Sequence, residues 1–263
     1  MPPIVIPENR AKAALAAGKL LIGTMLTEIR QASVMQLLAN AGFDFVIIDN
    51  EHGPFSVETI ADLSRAARAL CVTPIVRVPD LAYPYLAQSL DGGAQGIMLP
   101  RVTGPEQVHA ALEIIKYPPV GKRGCAFNRG HTAFRPGPLA ENMAAANEAS
   151  LLMIQVETQG ALDAVEEIAA IPGVDALFVG PTDLSIALDV PGQSDTPLMV
   201  AAVERVIAAC RRHGVAAAIQ GNDLGYAKRW AAAGMQMISY ASETGLLVSA
   251  ASAGVQAIRG TQA

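Results

Sequence analysis

An apolar run near residue 49 ends in charged side chains that could exchange protons. The segment "FVIIDNEHGP" has the composition of a buried strand and then presents Asp49, Glu51 and His52. Charged groups at the end of a buried strand are costly unless they are paired, solvated or used in chemistry. A carboxylate near an imidazole can fix its tautomer and make it an acid or a base. The spacing predicts His52 as a general acid or base beside Asp49, and a loop histidine without a role is the alternative.

Two further carboxylates follow apolar runs later in the chain. Glu157 comes directly after "LLMIQV", and Asp183 follows "ALFVGPT". If both runs are neighbouring parallel strands, the two side chains face one pocket at the carboxyl ends. Oxygen ligands without a nearby His or Cys favour Mg²⁺, Mn²⁺ or Co²⁺ over zinc. The pair therefore predicts a divalent cation site, and capping of the helix that follows each strand is the alternative.

An arginine interrupts another apolar run. Arg77 lies in "TPIVRV", and an arginine that projects from a buried strand needs an anionic partner. Its planar donors suit a carboxylate or enolate oxygen of a substrate. An internal salt bridge to Glu51 or Glu157 is the alternative.

Eight short apolar segments alternate with alanine-rich segments of helical spacing. This alternation indicates a parallel sheet covered by helices. Eight such units in 263 residues predict a closed (β/α)8 barrel, formed as a single domain over 1–263. The predicted strands begin near residues 20, 45, 73, 95, 151, 176, 215 and 235. The predicted helices include 57–70, 105–116, 161–170, 198–213 and 226–233.

Two segments stand outside this regular pattern. A last predicted helix, 242–258, follows the eighth strand and is free to close the ring or to pack on a neighbouring subunit. The connection 117–144 is long and rich in Pro, Gly and Arg, and long loops in compact domains are usually functional or disordered.

Composition limits the classes of partner. The net charge is −5 and the one short basic cluster is "GKRG" at 121–124, which argues against a nucleic-acid partner. No apolar run is long enough for a membrane span, and the start "MPPIVIPENR" does not resemble a signal peptide. We therefore expect a cytoplasmic protein with no membrane partner. Three cysteines without CxxC spacing predict buried free thiols instead of disulfides or a zinc site.

Taken together, these motifs resemble the HpcH/HpaI family of metal-dependent pyruvate aldolases, of the hydroxy-oxo-heptanedioate aldolase type. The resemblance runs in order through "FVIIDNEHGP", "RVP", "LDGGAQGIMLPRV", "YPPVGKRG", "QVET" and "GPTDLS". It implies a TIM barrel of the phosphoenolpyruvate/pyruvate type. It also implies reversible cleavage of 4-hydroxy-2-oxo acids to pyruvate and an aldehyde, small molecules of aromatic or sugar-acid catabolism.

Carried over residue by residue, the resemblance implies a role for each charged side chain. Glu157 and Asp183 would bind the divalent cation, Mg²⁺, Mn²⁺ or Co²⁺. Arg77 would contact the pyruvate oxygen that becomes the enolate oxygen. His52, with Asp49 as its dyad partner, would act as acid or base through a water molecule on the cation.

The resemblance also implies substrate and subunit contacts. Gln155 would lie beside pyruvate, and the backbone of Pro181, Thr182 and Asp183 would receive its carboxylate. Asp91, in "LDGGAQG", matches a position that reaches toward the dyad of a neighbouring subunit. A homo-oligomer is therefore expected, and the anticipated form is a hexamer built from dimers that exchange C-terminal helices.

The sequence departs from the family pattern at two places. Asn50 stands where the family often has threonine, and the long connection contains "CAFNRGHTAF" at 125–134. Both are expected where the aldehyde is selected, so the resemblance leaves the aldehyde open.

The sequence leaves three alternatives to a metal-dependent aldolase, two of them enzymes and one a binding protein. A Schiff-base aldolase needs a lysine inside the barrel, whereas all five lysines fall in predicted helices or loops. A CoA-thioester lyase of the citrate-lyase-beta type would need a basic groove, and the chain offers little beyond Lys122, Arg123 and Arg129. A non-catalytic barrel that binds a carboxylic acid would need Arg77. It would not need Asp49 with His52, nor both Glu157 and Asp183.

Overall fold

Eight parallel strands close into a barrel in the computed structural model, which describes residues 5–260. Strand order follows chain order, and β8 pairs with β1 to close the ring. The strands are β1 Leu21–Leu26, β2 Phe45–Asp49, β3 Thr73–Arg77, β4 Gly96–Leu99, β5 Leu151–Val156, β6 Ala176–Val179, β7 Ala216–Gly221 and β8 Met237–Ser242. The predicted (β/α)8 barrel is confirmed. The two ends of the predicted domain, 1–4 and 261–263, lie outside the described residues.

Helices surround the barrel. They are α1 Arg10–Ala16, α2 Val34–Ala41, α3 Val57–Ala69, α4 Tyr83–Gly92, α5 Pro105–Ile115, α6 Leu139–Ala149, α7 Gln159–Asp163, α8 Val165–Ala169, α9 Pro181–Ala187, α10 Pro197–His213, α11 Leu224–Ala232 and α12 Glu243–Gly260. The helix predicted over 161–170 consists of α7 and α8, which meet at Ala164. No helix within 5–260 is long and apolar enough to cross a membrane.

Strand alternation determines which side chains line the barrel interior. In β2, Phe45 and Ile47 belong to the interior cluster, whereas Val46 and Ile48 pack against the surrounding helices. Since side chains alternate along a strand, Asp49 continues the interior row. The same alternation places Arg77 after Ile75 and Gln155 after Met153, so each interior row of β2, β3 and β5 ends in a polar side chain. The sequence thus directs these groups into the mouth of the barrel.

Side chains fill the interior of the barrel, and one aromatic ring lies very close to the backbone of a neighbouring strand. The ring of Phe45 lies against Gly23 of β1, where an added Cβ would come within 2.4 Å of Phe45 Cδ2. Only glycine leaves room for this ring. The packing makes the barrel a solid support for the residues at its mouth.

The long connection lies at the opposite end of the barrel from the mouth. It joins the end of α5 to α6 and β5, and helix-to-strand connections run at the amino-terminal end of the strands. Arg68, near the end of α3, donates from Nη1 to the carbonyl of Gly130 at 2.9 Å. The segment 125–134 therefore lies away from the mouth of its own barrel, because it follows a helix and not a strand, and its expected role in selecting the aldehyde stays a prediction.

The cysteines are free, as predicted, but only one is buried. Cys210 is buried in α10, whereas Cys71 and Cys125 are exposed. Cys71 lies in the turn after α3 with a φ of 64°, and Cys125 lies in the long connection. Both positions are surface turns, which explains their exposure.

Candidate active site

A buried ion pair joins the ends of β2 and β3. Asp49 and Arg77 are register partners. Arg77 donates from Nε to Asp49 Oδ1 at 2.9 Å and from Nη2 to Asp49 Oδ2 at 2.7 Å. Its Nη1 lies 3.3 Å from Glu51 Oε2. The internal salt bridge to Glu51 considered from the sequence is therefore present, and Asp49 is the stronger partner.

The pairing keeps Arg77 charged at the mouth of the barrel. Burial by itself lowers the pKa of the Arg77 guanidinium, but the hydrogen bond and charge of Asp49 and the charges of Glu51 and Glu157 raise it overall. Burial also raises the pKa of Glu51, against the opposing charges of Arg77 and His52. Glu51 is a site residue that the sequence argument treated only as a possible partner of Arg77.

His52 lies at the rim of the site. Its side chain is 67% exposed, and Nε2 lies 3.8 Å from Glu51 Oε2. Asp49 Oδ1 accepts the backbone N–H groups of Glu51 at 3.1 Å and His52 at 3.3 Å. The expected contact between the imidazole of His52 and the Asp49 carboxylate is absent, because Arg77 and the turn occupy that carboxylate. Asp49 instead shapes the turn that carries His52.

Glu157 lies at the end of β5 and is held at both carboxylate oxygens. Oε1 accepts the backbone N–H of Arg101 at 2.7 Å, and Oε2 accepts from Gln155 Nε2. An added Cβ at Gly180 would come 2.8 Å from Gln155 Nε2 and 2.9 Å from Glu157 Oε2. Gly180 therefore lets this pair lie close against the end of β6.

Burial raises the pKa of Glu157 to about 7. The hydrogen bond from the Arg101 backbone opposes this shift, whereas the charges of Asp183 and Glu51 add to it. Asp183 lies in the first turn of α9 and lines the same cavity as Glu157, whose volume is about 340 Å³. Two carboxylates thus meet at one cavity, and neither forms an ion pair within 5–260.

Neither Glu157 nor Asp183 caps the helix that follows its strand. Thr158, not Glu157, caps α7 by accepting the backbone N–H of Ala161. The N-cap of α9 is Gly180, which lacks a side chain. Glu157 is therefore not used as a helix cap, and Asp183 does not occupy the capping position.

The donor set fits a hard divalent cation with an incomplete protein shell. Within 5–260 no group of three or more His, Cys, Asp or Glu side chains is placed to hold a metal. Glu157 and Asp183 supply two carboxylates, and a hard cation accepts water or substrate oxygens at its other positions. The buried Oε1 of Gln155, close to Glu157, has no hydrogen-bond partner. The free Oε1 of Gln155 beside the carboxylates of Glu157 and Asp183 fits a site that a cation and a substrate would complete.

The remaining site candidates divide between two ends of the molecule. Pro181 and Thr182 open α9 directly after β6 and so lie at the mouth beside Asp183. Asp91 lies in the last turn of α4, where Arg123 Nη2 donates to its Oδ1 at 2.5 Å. Since α4 runs from the end of β3 to the start of β4, Asp91 lies at the amino-terminal end. It does not join the site of its own chain.

Arg101 is a residue at the mouth that was not predicted from the sequence. This residue follows β4 in "LPRV", holds Glu157 through its backbone and lines the same cavity. The signal was available, since Arg101 is a charged residue directly after an apolar run, as Glu157 is.

A closed (β/α)8 barrel with a buried arginine and converging carboxylates at the carboxyl ends of its strands has the arrangement of a barrel enzyme. A family profile described as HpcH/HpaI aldolase/citrate lyase matches residues 24–250. The chain belongs to this family, and it is an aldolase, a carbon–carbon lyase.

Individual relatives match over almost their whole length. A hydroxypyruvate/pyruvate aldolase of Sagittula stellata is 36% identical over 247 residues, covering 94% of this chain and 96% of the relative. A 2-dehydro-3,6-dideoxy-6-sulfogluconate aldolase of Pseudomonas putida is 35% identical over 242 residues, covering 92% and 94%. The crystal structure of an HpcH/HpaI aldolase from Desulfitobacterium hafniense superposes with a TM-score of 0.90 at 32% identity, covering 94% and 96%.

Proposed function

We propose that this aldolase interconverts 4-hydroxy-2-oxo acids with pyruvate and an aldehyde, with a divalent cation held by Glu157 and Asp183. The observation that carries the proposal is the convergence of the buried Arg77 and these two carboxylates at the mouth of one barrel. The relatives named for pyruvate and hydroxypyruvate support the substrate class.

Arg77 is the residue placed to stabilise negative charge on the 2-oxo oxygen. Asp49 and Glu51 hold its guanidinium in one orientation, so no reorientation is needed when charge develops. Its burial strengthens that interaction because little water competes.

Glu157 and Asp183 would hold the cation, with Mg²⁺, Mn²⁺ and Co²⁺ as the candidates. A bound cation supplies positive charge that polarises the 2-oxo group and stabilises the enolate form of pyruvate. The Arg101 backbone N–H and the Gln155 amide fix the Glu157 carboxylate in place. The backbone of Pro181, Thr182 and Asp183, at the start of α9, would receive the pyruvate carboxylate.

Proton transfer is assigned to His52. In the cleavage direction a base removes the proton of the 4-hydroxyl group, the bond between C3 and C4 breaks, and the electron pair remains on the pyruvate half. Protonation at C3 then yields pyruvate, and the other half leaves as the aldehyde. The exposed imidazole of His52 can exchange its proton with solvent between steps. Asp49 positions His52 through the backbone of the turn.

The last helix supports a homo-oligomer. In α12 the apolar side chains of Leu247 and Val248 are 63% and 62% exposed, and their contact with a second copy would remove this surface from water. We propose exchange of α12 between paired subunits, in a hexamer built from such dimers. We propose further that Asp91, at the other end of the barrel, contacts the site of a neighbouring subunit.

Neither alternative chemistry gains support. Two of the three basic side chains considered for CoA phosphates are engaged within the chain, since Lys122 pairs with Glu113 and Arg123 with Asp91. The relatives named as aldolases speak against a non-catalytic barrel. The Pseudomonas putida relative is named for a sugar-acid derivative, which supports a place in sugar-acid catabolism.

Exchange of the pyruvate methyl protons in D₂O, followed by NMR, tests the proposal without knowledge of the aldehyde. The protein is stripped with EDTA and supplied with Mg²⁺, Mn²⁺ or Co²⁺. We expect cation-dependent exchange that Glu157→Gln abolishes, whereas the control Glu204→Gln, on the exposed face of α10, retains it. Absence of exchange with every cation would overturn the pyruvate assignment.

A further inference from the structure

Arg101 has a fixed backbone at the mouth of the barrel. Its φ of 55° lies in the left-handed region, which is unfavourable for a residue other than glycine by about 1 kcal/mol or more. Its N–H donates to Glu157, and the next carbonyl, of Val102, accepts from Thr158 Oγ1 at 2.6 Å. Two neighbouring residues of the strand end thus hold the loop, so the side chain projects from a rigid base.

The guanidinium of Arg101 has no role in holding that loop. The contacts with Glu157 and Val102 involve the backbone alone, and any residue could supply them. The side chain is exposed and lines the 340 Å³ cavity beside Glu51, Glu157 and Asp183. It forms no ion pair with any residue in the described part of the chain, although Glu51 is near enough for its charge to be felt. The strained backbone therefore holds a positively charged guanidinium at the cavity, and no carboxylate of the described residues pairs with it.

Depth separates Arg101 from the groups assigned to pyruvate. The side chain of Arg77 is 10% exposed and belongs to the interior row of β3, whereas Arg101 lies outside that row in the loop after β4. His52 lines the same outer part of the cavity. Since the bond that breaks lies between the pyruvate half and the aldehyde half, the aldehyde half must extend from Arg77 toward this outer part.

We propose that Arg101 binds an anionic group, a carboxylate or a phosphate, on the aldehyde half of the substrate. Arg101 is then a specificity-determining residue that favours substrates with an anion at each end. A guanidinium suits either oxyanion because its planar donors can bind two oxygens at once. The inference rests on the proposed function, because it concerns the second half of the same substrate.

Matched pairs of aldehydes test the inference. Succinic semialdehyde is compared with butanal, and glyceraldehyde 3-phosphate with glyceraldehyde, each condensed with pyruvate by the holoenzyme. The measured quantity is the ratio of kcat/KM for the anionic aldehyde to that for its neutral partner. We expect Arg101→Gln to lower this ratio at least about tenfold in one pair, and that pair identifies the anion. Arg101→Lys should lower it less, because the charge remains.

The control separates a local contact from net charge. Arg205→Gln removes the same charge from the exposed face of α10, where Arg205 lies 3.9 Å from Asp163, and should leave both ratios unchanged. Thermal unfolding of each variant checks that it is folded. Equal ratios in wild type and Arg101→Gln for both pairs would overturn the role of Arg101. If wild-type enzyme exchanges no pyruvate methyl protons, the proposed function fails, and this inference falls with it.

Discussion

Two sets of charged side chains, one at each end of the barrel, differ in how far the protein itself pairs them. At the amino-terminal end, Lys116 Nζ donates to the carbonyl of Asn147 at 2.5 Å and to the carbonyl and hydroxyl of Ser150 at 2.8 Å. At the carboxyl end, Glu157 and Asp183 share a cavity and form no ion pair within 5–260. Lys116 is satisfied by the protein alone and serves the fold, whereas carboxylates that share a cavity without an ion pair are candidates for binding a ligand. The lysine at one end therefore has a structural role, and the two carboxylates at the other end have a chemical one.

Substitution of Arg77 is expected to have the largest effect, on kcat/KM. Arg77→Lys keeps the positive charge but loses the two-point contact with Asp49. We expect kcat/KM to fall about 10²- to 10³-fold, the usual effect of removing one preorganised donor. Steady-state cleavage kinetics check this, with urea unfolding to show that the variant is folded. A fall of less than threefold would mean that Arg77 is structural, like Lys116.

Lys116 provides the opposite case. Lys116→Met leaves the buried carbonyls of Asn147 and Ser150 without their donor, which should cost about 3 kcal/mol of the free energy of unfolding. The kcat of the folded variant should stay within about twofold of wild type, since Lys116 lies far from the mouth. Urea denaturation and cleavage kinetics measure both quantities. Lost activity with unchanged stability would contradict the division between the two ends.

His131 should make the amino-terminal end sensitive to acid. Burial first, and then the charge of Arg123, lower the pKa of its imidazole to about 4, and the charge of Asp91 opposes this. The unfolded chain binds the proton near pH 6.5 and the folded chain only near pH 4. Stability is therefore complete above pH 6.5 and is lost as the pH falls toward 4, by up to about 3 kcal/mol.

The matched variant is His131→Phe, which retains an aromatic ring next to Phe127, whose centroid lies 5.3 Å away. Unfolding in urea at pH 7, 6, 5 and 4 should show a flatter dependence for this variant than for wild type. Parallel curves would mean that His131 does not titrate differently on folding.

The smallest effect is expected at Gly180. In Gly180→Ala the new Cβ would press on the ends of the Gln155 and Glu157 side chains, which can move at little cost in stability. We expect about tenfold weaker cation binding, because the carboxylate must leave its position, and a free energy of unfolding within about 1 kcal/mol of wild type. Calorimetric titration with Mn²⁺ measures the affinity. Unchanged affinity would show that the alignment of Glu157 is not needed.

Much of this architecture follows from the sequence. Apolar runs such as "FVIID" predict buried parallel strands, and a polar residue that ends an interior row must lie at the mouth. Asp49, Arg77, Gln155 and Glu157 were identified in this way. Arg101 does not end an interior row, since Ile97 and Leu99 before it pack against the helices, and its importance depends on a left-handed backbone that residue type does not reveal.

Contacts between elements were predicted less well. Spacing alone suggested that Asp49 would face His52, but the parallel register places Arg77 directly beside Asp49, and an arginine competes successfully for a carboxylate. Similarly, the composition of 125–134 suggested a role in selecting the aldehyde, whereas its place between a helix and a strand puts it at the amino-terminal end of its own barrel. Pairing and direction depend on the closed barrel, not on local sequence.

The central claim is that the carboxylates of Glu157 and Asp183 bind a cation, and a direct measurement of cation binding tests this claim. EDTA-stripped protein is titrated with Mn²⁺, and free Mn²⁺ is measured by electron paramagnetic resonance. We predict one Mn²⁺ bound per chain in wild type and in the control Glu204→Gln. Binding should be lost in Glu157→Gln and in Asp183→Asn. Equal binding by all four proteins would contradict the assignment of these two carboxylates to a cation.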